Sequence, residues 1–183
     1  MRILHKPYLY SIKFDEEELD EFNRLLDEWA DIVAVKEFLD ENRTIFDSYL
    51  SSYFNNTFEA AEQVANEAEE MESYFEELKE NTASGKKTNF DSYFKYLDGI
   101  YKCEMKYIPM KGYGEGYRPS LIRFYAIKIE PNVYVIATGG IKIGKSIQDS
   151  PGLKEYVFKK IDIVRKFLSS LGITEASDMD LKN

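Results

Sequence analysis

Residues 120–145, SLIRFYAIKIEPNVYVIATGGIKIGK, constrain the fold of this chain more than any other stretch. Leu121, Arg123, Tyr125, Ile127 and Ile129 alternate with Ile122, Phe124, Ala126 and Lys128. Period two among β-branched and aromatic side chains specifies a strand. Glu130-Pro131-Asn132 then has turn chemistry, because Pro presets φ and Asn tolerates a positive φ. Residues 133–138 read as a second strand, apolar on both sides and so predicted to be central and covered on both faces. The short link makes the pair an antiparallel hairpin. Gly139-Gly140 is expected to break the second strand and to project Lys142 and Lys145 beyond it.

The remaining chain supplies helices around this hairpin. Residues 8–14 alternate as a first strand, with Pro7 tolerated at its start. Asp15 with Glu16, Glu17 and Glu18 predicts a helix start carrying the stripe Leu19, Phe22, Leu25, Leu26 and Trp29. Asp31 restarts a second helix with Val35, Phe38 and Leu39 inward. Residues 42–57 give no clear period. From Thr57 to about Lys79 the stripe Val64, Ala68, Met71, Phe75 and Leu78 predicts a long helix, and residues 81–89 a flexible linker. A turn or two of helix is expected over 90–97, a strand over 100–110, and a Gly-rich basic loop over 111–119. A last helix, capped by Asp149 or Ser150 with Pro151 at its first position, carries Leu153, Val157, Ile161, Val164 and Leu168 and stops at Gly172. The expected class is α+β: an N-terminal strand and helices, an antiparallel sheet of about four strands, and a C-terminal helix. We read residues 1–183 as one domain, with 41–99 a helical insertion and 100–171 the sheet-plus-helix core.

The net charge of −9 conceals an asymmetry. Residues 1–83 carry 7 Lys/Arg against 22 Asp/Glu, a net of −15, whereas residues 84–173 carry 16 against 8, a net of +8. Such a split fits a polyanionic partner for the basic half, or acids that solvate exposed helix faces. The single Cys103 excludes an internal disulfide and makes a reducing cytoplasm the simplest home. No apolar run reaches the length of a membrane span, and the N-terminus has no signal-peptide pattern. Familiar catalytic devices are missing: one histidine, His5, argues against a Ser-His-Asp or Cys-His arrangement. The glycines of GYGEG, residues 112–116, fit a plain turn better than a phosphate or dinucleotide loop, so no cofactor is expected. The acids lack metal-loop spacing, so no metal is expected either.

What remains is a set of cations and phenols: Lys111, Tyr113, Tyr117, Arg118, Arg123, Tyr125, Lys142 and Lys145. Arg holds phosphate bidentately and stacks, Tyr stacks, and Lys acts as a point charge. Such groups can bind RNA, or cleave it by stabilising charge at the scissile phosphate if a Lys or Tyr has a shifted pKa. The plainer alternative places them on the solvent face of strands whose other face is core.

Residues 123–145, with the pattern Ser120-Leu121-Ile122-Arg123-Phe124-Tyr125-Ala126-Ile127-Lys128 and Gly139-Gly140-Ile141-Lys142, resemble the RelE/HigB-like toxin superfamily of bacterial toxin–antitoxin systems. The likeness covers mainly residues 100–171 and is nearest to uncharacterised proteins of Bacteroidetes. It implies a RelE-like fold, ribosome-dependent mRNA cleavage and neutralisation by an antitoxin protein. By position it implies Arg123, Tyr125, Lys142 and Lys145 as catalytic residues, and Lys111, Tyr117 and Arg118 as substrate-binding ones. The chain departs from such toxins in its length and acidity. A non-catalytic interaction protein of the same fold, binding through its acidic helices, is the alternative.

Overall fold

The computed structural model describes residues 2–4, 7–97 and 106–181. His5, Cys103 and most of the strand expected over 100–110 lie outside them. The elements in chain order are β1 (Arg2–Leu4), β2 (Leu9–Lys13), α1 (Glu21–Ala30), α2 (Ile32–Glu41), α3 (Arg43–Tyr49), α4 (Thr57–Ala83), α5 (Phe90–Tyr93), β3 (Lys95–Tyr96), β4 (Ile108–Tyr113), β5 (Ile122–Glu130), β6 (Val133–Ile141), α6 (Leu153–Ser170) and α7 (Ala176–Leu181). The class is α+β. The sheet departs from expectation. It has six strands in the order β1-β2-β6-β5-β4-β3, and β2 runs parallel to β6. Parallel neighbours need a long crossover, and everything between β2 and β6 supplies it. The two added strands, β1 and β3, are three and two residues long, too short to leave a periodic signal.

The β5–β6 hairpin forms as its alternation requires, turning through Asn132 at φ 61°. Its irregularity lies elsewhere than expected. Tyr125 pairs with Thr138 and Ala126 with Ile136, so Ala137 is the extra residue of a bulge. Gly139 and Gly140 stay within β6, opposite Phe124 and Arg123. They are glycines because helices press on both faces. A Cβ on Gly139 would lie 2.6 Å from Leu25 Cδ1 and 2.7 Å from the Arg123 carbonyl oxygen, and one on Gly140 would lie 2.7 Å from the Tyr156 hydroxyl.

Both sheet faces are therefore covered. On one, Phe22, Leu25 and Trp29 of α1 with Val64, Met71 and Phe75 of α4 pack against Phe124, Tyr134 and Ile136. On the other, Leu153, Val157, Ile161, Val164 and Leu168 of α6 pack against Tyr10, Ile12, Tyr125, Ile127 and Val135. Helix α4 belongs to this core: it buries Phe75 beside Phe22 and Phe124, with ring centroids 5.4 and 5.3 Å away, and each such side chain contributes roughly 1.5–3 kcal/mol.

Several ends are corrected. The cap of α1 is Asp20, five residues after Asp15, because Asp20 and the buried Ser11 hydroxyl both accept from the Phe22 amide. Asp31 caps α2 as expected. The cap of α4 is Asn56, and the helix ends past Lys79 at Gly85 (φ 66°), where the Lys86 amide donates to the Asn81 carbonyl in a Schellman closure. The supposed linker is pinned: Lys86 Nζ donates to Asn81 Oδ1, and Asn89 forms a capping box with Ser92. Before α6, Asp149 accepts from Ser146 instead of capping, and Gly152 precedes the first helical residue. Gly172 (φ 64°) ends α6 as its position predicts. None of the helices among the described residues is long and apolar enough to cross a membrane.

Candidate functional site

Where β4 ends and β5 begins, residues 113–121 loop across the end of the sheet and rest on α4. The anchor is Glu67. Its carboxylate is fully buried and accepts from Gln63 Nε2 (2.7 Å), Ser120 Oγ (2.8 Å), the Leu121 amide (2.9 Å) and the Ile122 amide (3.3 Å). One helix turn on, Glu70 accepts from the Tyr117 hydroxyl, and Gln63 also reaches the Pro119 carbonyl. Spacing along α4 explains the grouping: residues 63, 67, 70 and 74 fall on one helix face. Gly114 is required there, since a Cβ at that position would strike the Glu67 carboxylate.

The loop bounds a cleft of roughly 490 Å³. Tyr74, Tyr93 and Tyr113 give it phenolic walls; Lys95, Arg118 and Arg123 give it positive charge; Glu115 stands at its rim. Arg123 is its most constrained member. Its guanidinium carbon lies 4.3 Å from the centroid of the Tyr113 ring, and Nη1 donates to the Ser120 carbonyl (2.9 Å), Ser120 Oγ (3.2 Å) and the Ile122 carbonyl (2.6 Å). Nη1 is thus spent on the protein, whereas Nε and Nη2 have no hydrogen-bond partner among the described residues, and Arg123 lines the cleft. Burial lowers the Arg123 pKa from its ordinary value, partly opposed by Tyr113, Tyr125 and Glu67. The group stays cationic, as guanidinium does in proteins, and it is poorly hydrated.

Tyr74 and Tyr93 are held in their neutral form. Burial, with Glu115 nearby, pushes Tyr74 up to about 12, and burial drives Tyr93 well above its ordinary value. Tyr93 also donates to the Tyr113 carbonyl at 2.7 Å. Tyr74 and Tyr93 are therefore poor proton donors near neutral pH.

The sequence-derived site does not assemble as one centre. Arg118 and Arg123 share the cleft. Arg118 is exposed, with Nη1 donating to the Tyr117 carbonyl. Tyr117 donates its hydroxyl to Glu70 of α4 and does not line the cleft. Lys111 sits beside it, with Nζ 5.9 Å from the Tyr113 ring centroid. Tyr125 is a correction: it is 1% exposed within the α6-side core, so it can neither stack on a base nor contact substrate. Lys142 is another. Its amide donates to the Leu121 carbonyl, and its Nζ donates to the carbonyls of Gly144 (2.6 Å) and Lys145 (2.9 Å), which closes its own loop. Lys145 is exposed and does not line the cleft.

Sequence reasoning missed Glu67, Tyr74, Tyr93 and Lys95. Glu67 carried a signal, because it falls among Val64, Ala68 and Met71 on the apolar stripe of α4, where an acid must find partners. Tyr93 and Lys95 carried none, since α5 and β3 are four and two residues long.

No family model matches the chain, and no curated protein or solved structure matches it.

Proposed function

We propose that this protein is a binding protein whose working site is the cleft between α4, α5 and the 113–121 loop, and that it captures an organic anion there without transforming it. The observation that carries the reading is Arg123. One nitrogen is fixed by three protein oxygens and one face by Tyr113, while Arg123 lines the cleft and its Nε and Nη2 are not engaged by the described residues. The Nε–Nη2 edge suits the bidentate grip of a carboxylate or phosphate. A cleft of roughly 490 Å³ is within the usual range for small-molecule sites, about 300–1,000 Å³. Calorimetric titration with pyrophosphate at low ionic strength tests it. One-to-one binding that weakens with salt and is lost in Arg123→Gln is expected, and wild-type protein that binds no anion would sink the reading.

A second reading is favoured by connectivity. With β1, α3, α4, α5, β3 and α7 set aside, the order β2, α1, α2, β4, β5, β6 and α6 resembles the strand–two-helix–three-strand–helix order of the RelE/HigB-like toxins. On that reading the protein is an mRNA endoribonuclease, and Arg118 and Arg123 are its phosphate-binding residues. Tyr125 and Lys142 are then structural. Induced expression that arrests bacterial growth, relieved by Arg123→Ala, would favour it over simple capture. Tolerated expression would count against it.

A further inference from the structure

We propose that the anion taken by the cleft is a nucleoside monophosphate, an inference that rests on the anion-site reading above. Three features of the cleft go beyond a generic anion hole. First, its charge suits a dianion: Lys95, Arg118 and Arg123 face Glu115 alone at the rim, with Glu67 engaged behind the loop by Ser120, Leu121 and Ile122. Lys95 is held near the cleft by donating from Nζ to the Ser92 carbonyl. Second, the volume far exceeds a lone phosphate, so most of the site must receive something uncharged. Third, that remaining volume is walled by phenol rings. Tyr74 is half-buried and fixed by edge contact with Tyr93 at 5.7 Å, and Tyr113 is held by the Arg123 guanidinium. Rigid ring faces beside a fixed guanidinium suit a planar heterocycle tethered to a phosphate: the base stacks on phenol while the phosphate takes the Nε–Nη2 edge. Glu115, an exposed residue of the lining, is hydrogen-bonded to Tyr74 and so helps fix that ring.

Isothermal titration calorimetry on the full chain tests the inference with four probes: the four common nucleoside 5′-monophosphates, the matching nucleosides, inorganic phosphate, and a short single-stranded RNA with a 5′-phosphate. At least one monophosphate should bind about tenfold or more tighter than its nucleoside and than inorganic phosphate. Arg118→Gln, at an exposed position that leaves the fold intact, should weaken the monophosphate by several-fold. Arg123→Gln should weaken it by about tenfold or more. Tyr74→Ala should weaken the monophosphate by about tenfold and leave inorganic phosphate unchanged, which separates stacking from charge. Inorganic phosphate binding as tightly as every monophosphate would overturn the nucleotide assignment and leave the anion site standing. RNA binding with no free monophosphate binding would overturn it in favour of a strand. No binding by any probe would remove both readings.

Discussion

The most informative perturbation is at Glu67, where a single carboxylate holds the loop that builds the cleft. Truncation to Ala leaves the Leu121 amide, the Ile122 amide and the Ser120 hydroxyl without their acceptor in a buried setting. A buried donor left unsatisfied costs about 1–3 kcal/mol. The Leu121 amide, at 2.9 Å, bears the full cost, whereas Ser120 Oγ keeps a longer bond to the Ile122 carbonyl and the Ile122 amide starts from 3.3 Å. The sum is about 3–5 kcal/mol, well above the ~1 kcal/mol of an average substitution. With a urea m-value near 2 kcal/mol/M, the midpoint should fall by about 2 M. Glu67→Gln keeps one carbonyl for Leu121 but sets an NH₂ against the Ile122 amide, so about 1–3 kcal/mol is expected. Urea unfolding followed by far-UV circular dichroism, with the m-value fitted alongside, measures both. If Glu67→Ala shifts stability by less than ~1 kcal/mol at constant m, the carboxylate is not the loop's anchor, and the physical basis of the cleft is wrong.

Tyr125→Ala should cost about 3–5 kcal/mol in the same assay through the cavity left in the α6-side core, whereas Tyr125→Phe should leave anion binding unchanged, since the ring never reaches the cleft. Gly139→Ala, with its methyl 2.7 Å from the Arg123 carbonyl, should destabilise by about 1–3 kcal/mol or prevent folding, read as a drop in melting temperature. Asp91 predicts a pH dependence. Partial burial raises its pKa, but hydrogen bonds from Lys128 Nζ, the Tyr134 hydroxyl and the Asn132 amide outweigh that and leave it below its ordinary value. A folded pKa below the unfolded one means the stabilisation is present above about pH 4 and is lost as pH falls through the folded value. Asp91→Asn should therefore flatten the acid limb of the stability–pH curve, measured by urea midpoints between about pH 2 and 6.

How far the fold was legible depended on length. The β5–β6 hairpin, α4 and α6 each run nine residues or more, enough for a period to emerge from noise. The parallel β2–β6 pairing was not legible, because a strand pattern names a face and not a neighbour. Gly139-Gly140 was misread as a break because close approach by Leu25 and Leu153 leaves no local mark on the strand carrying the glycines. The acid-rich first half was only partly a solvating surface. Glu67 of α4 is buried against the 113–121 loop, and Glu21, also buried, pairs with Arg24 at 3.1 Å and with Lys160 of α6 at 2.6 Å. In the basic half, Arg118 and Arg123 were visible as candidate phosphate binders. Two of the three phenols that join them, Tyr74 and Tyr93, arrive from α4 and α5. Tyr125 and Lys142 were visible as residue types, but their roles were decided by α6 and by the 142–150 loop.

Chemical-shift mapping of the ¹⁵N-labelled protein titrated with a nucleoside monophosphate tests the anion cleft most directly, with the arginine Nε–H region recorded together with the backbone amides. The Arg123 Nε–H and the amides of Gly114, Glu115 and Ser120 should move in a saturable, salt-sensitive way, while those of the 142–150 loop stay still. Shifts confined to that loop, or none at Arg123 when binding is complete, would contradict it.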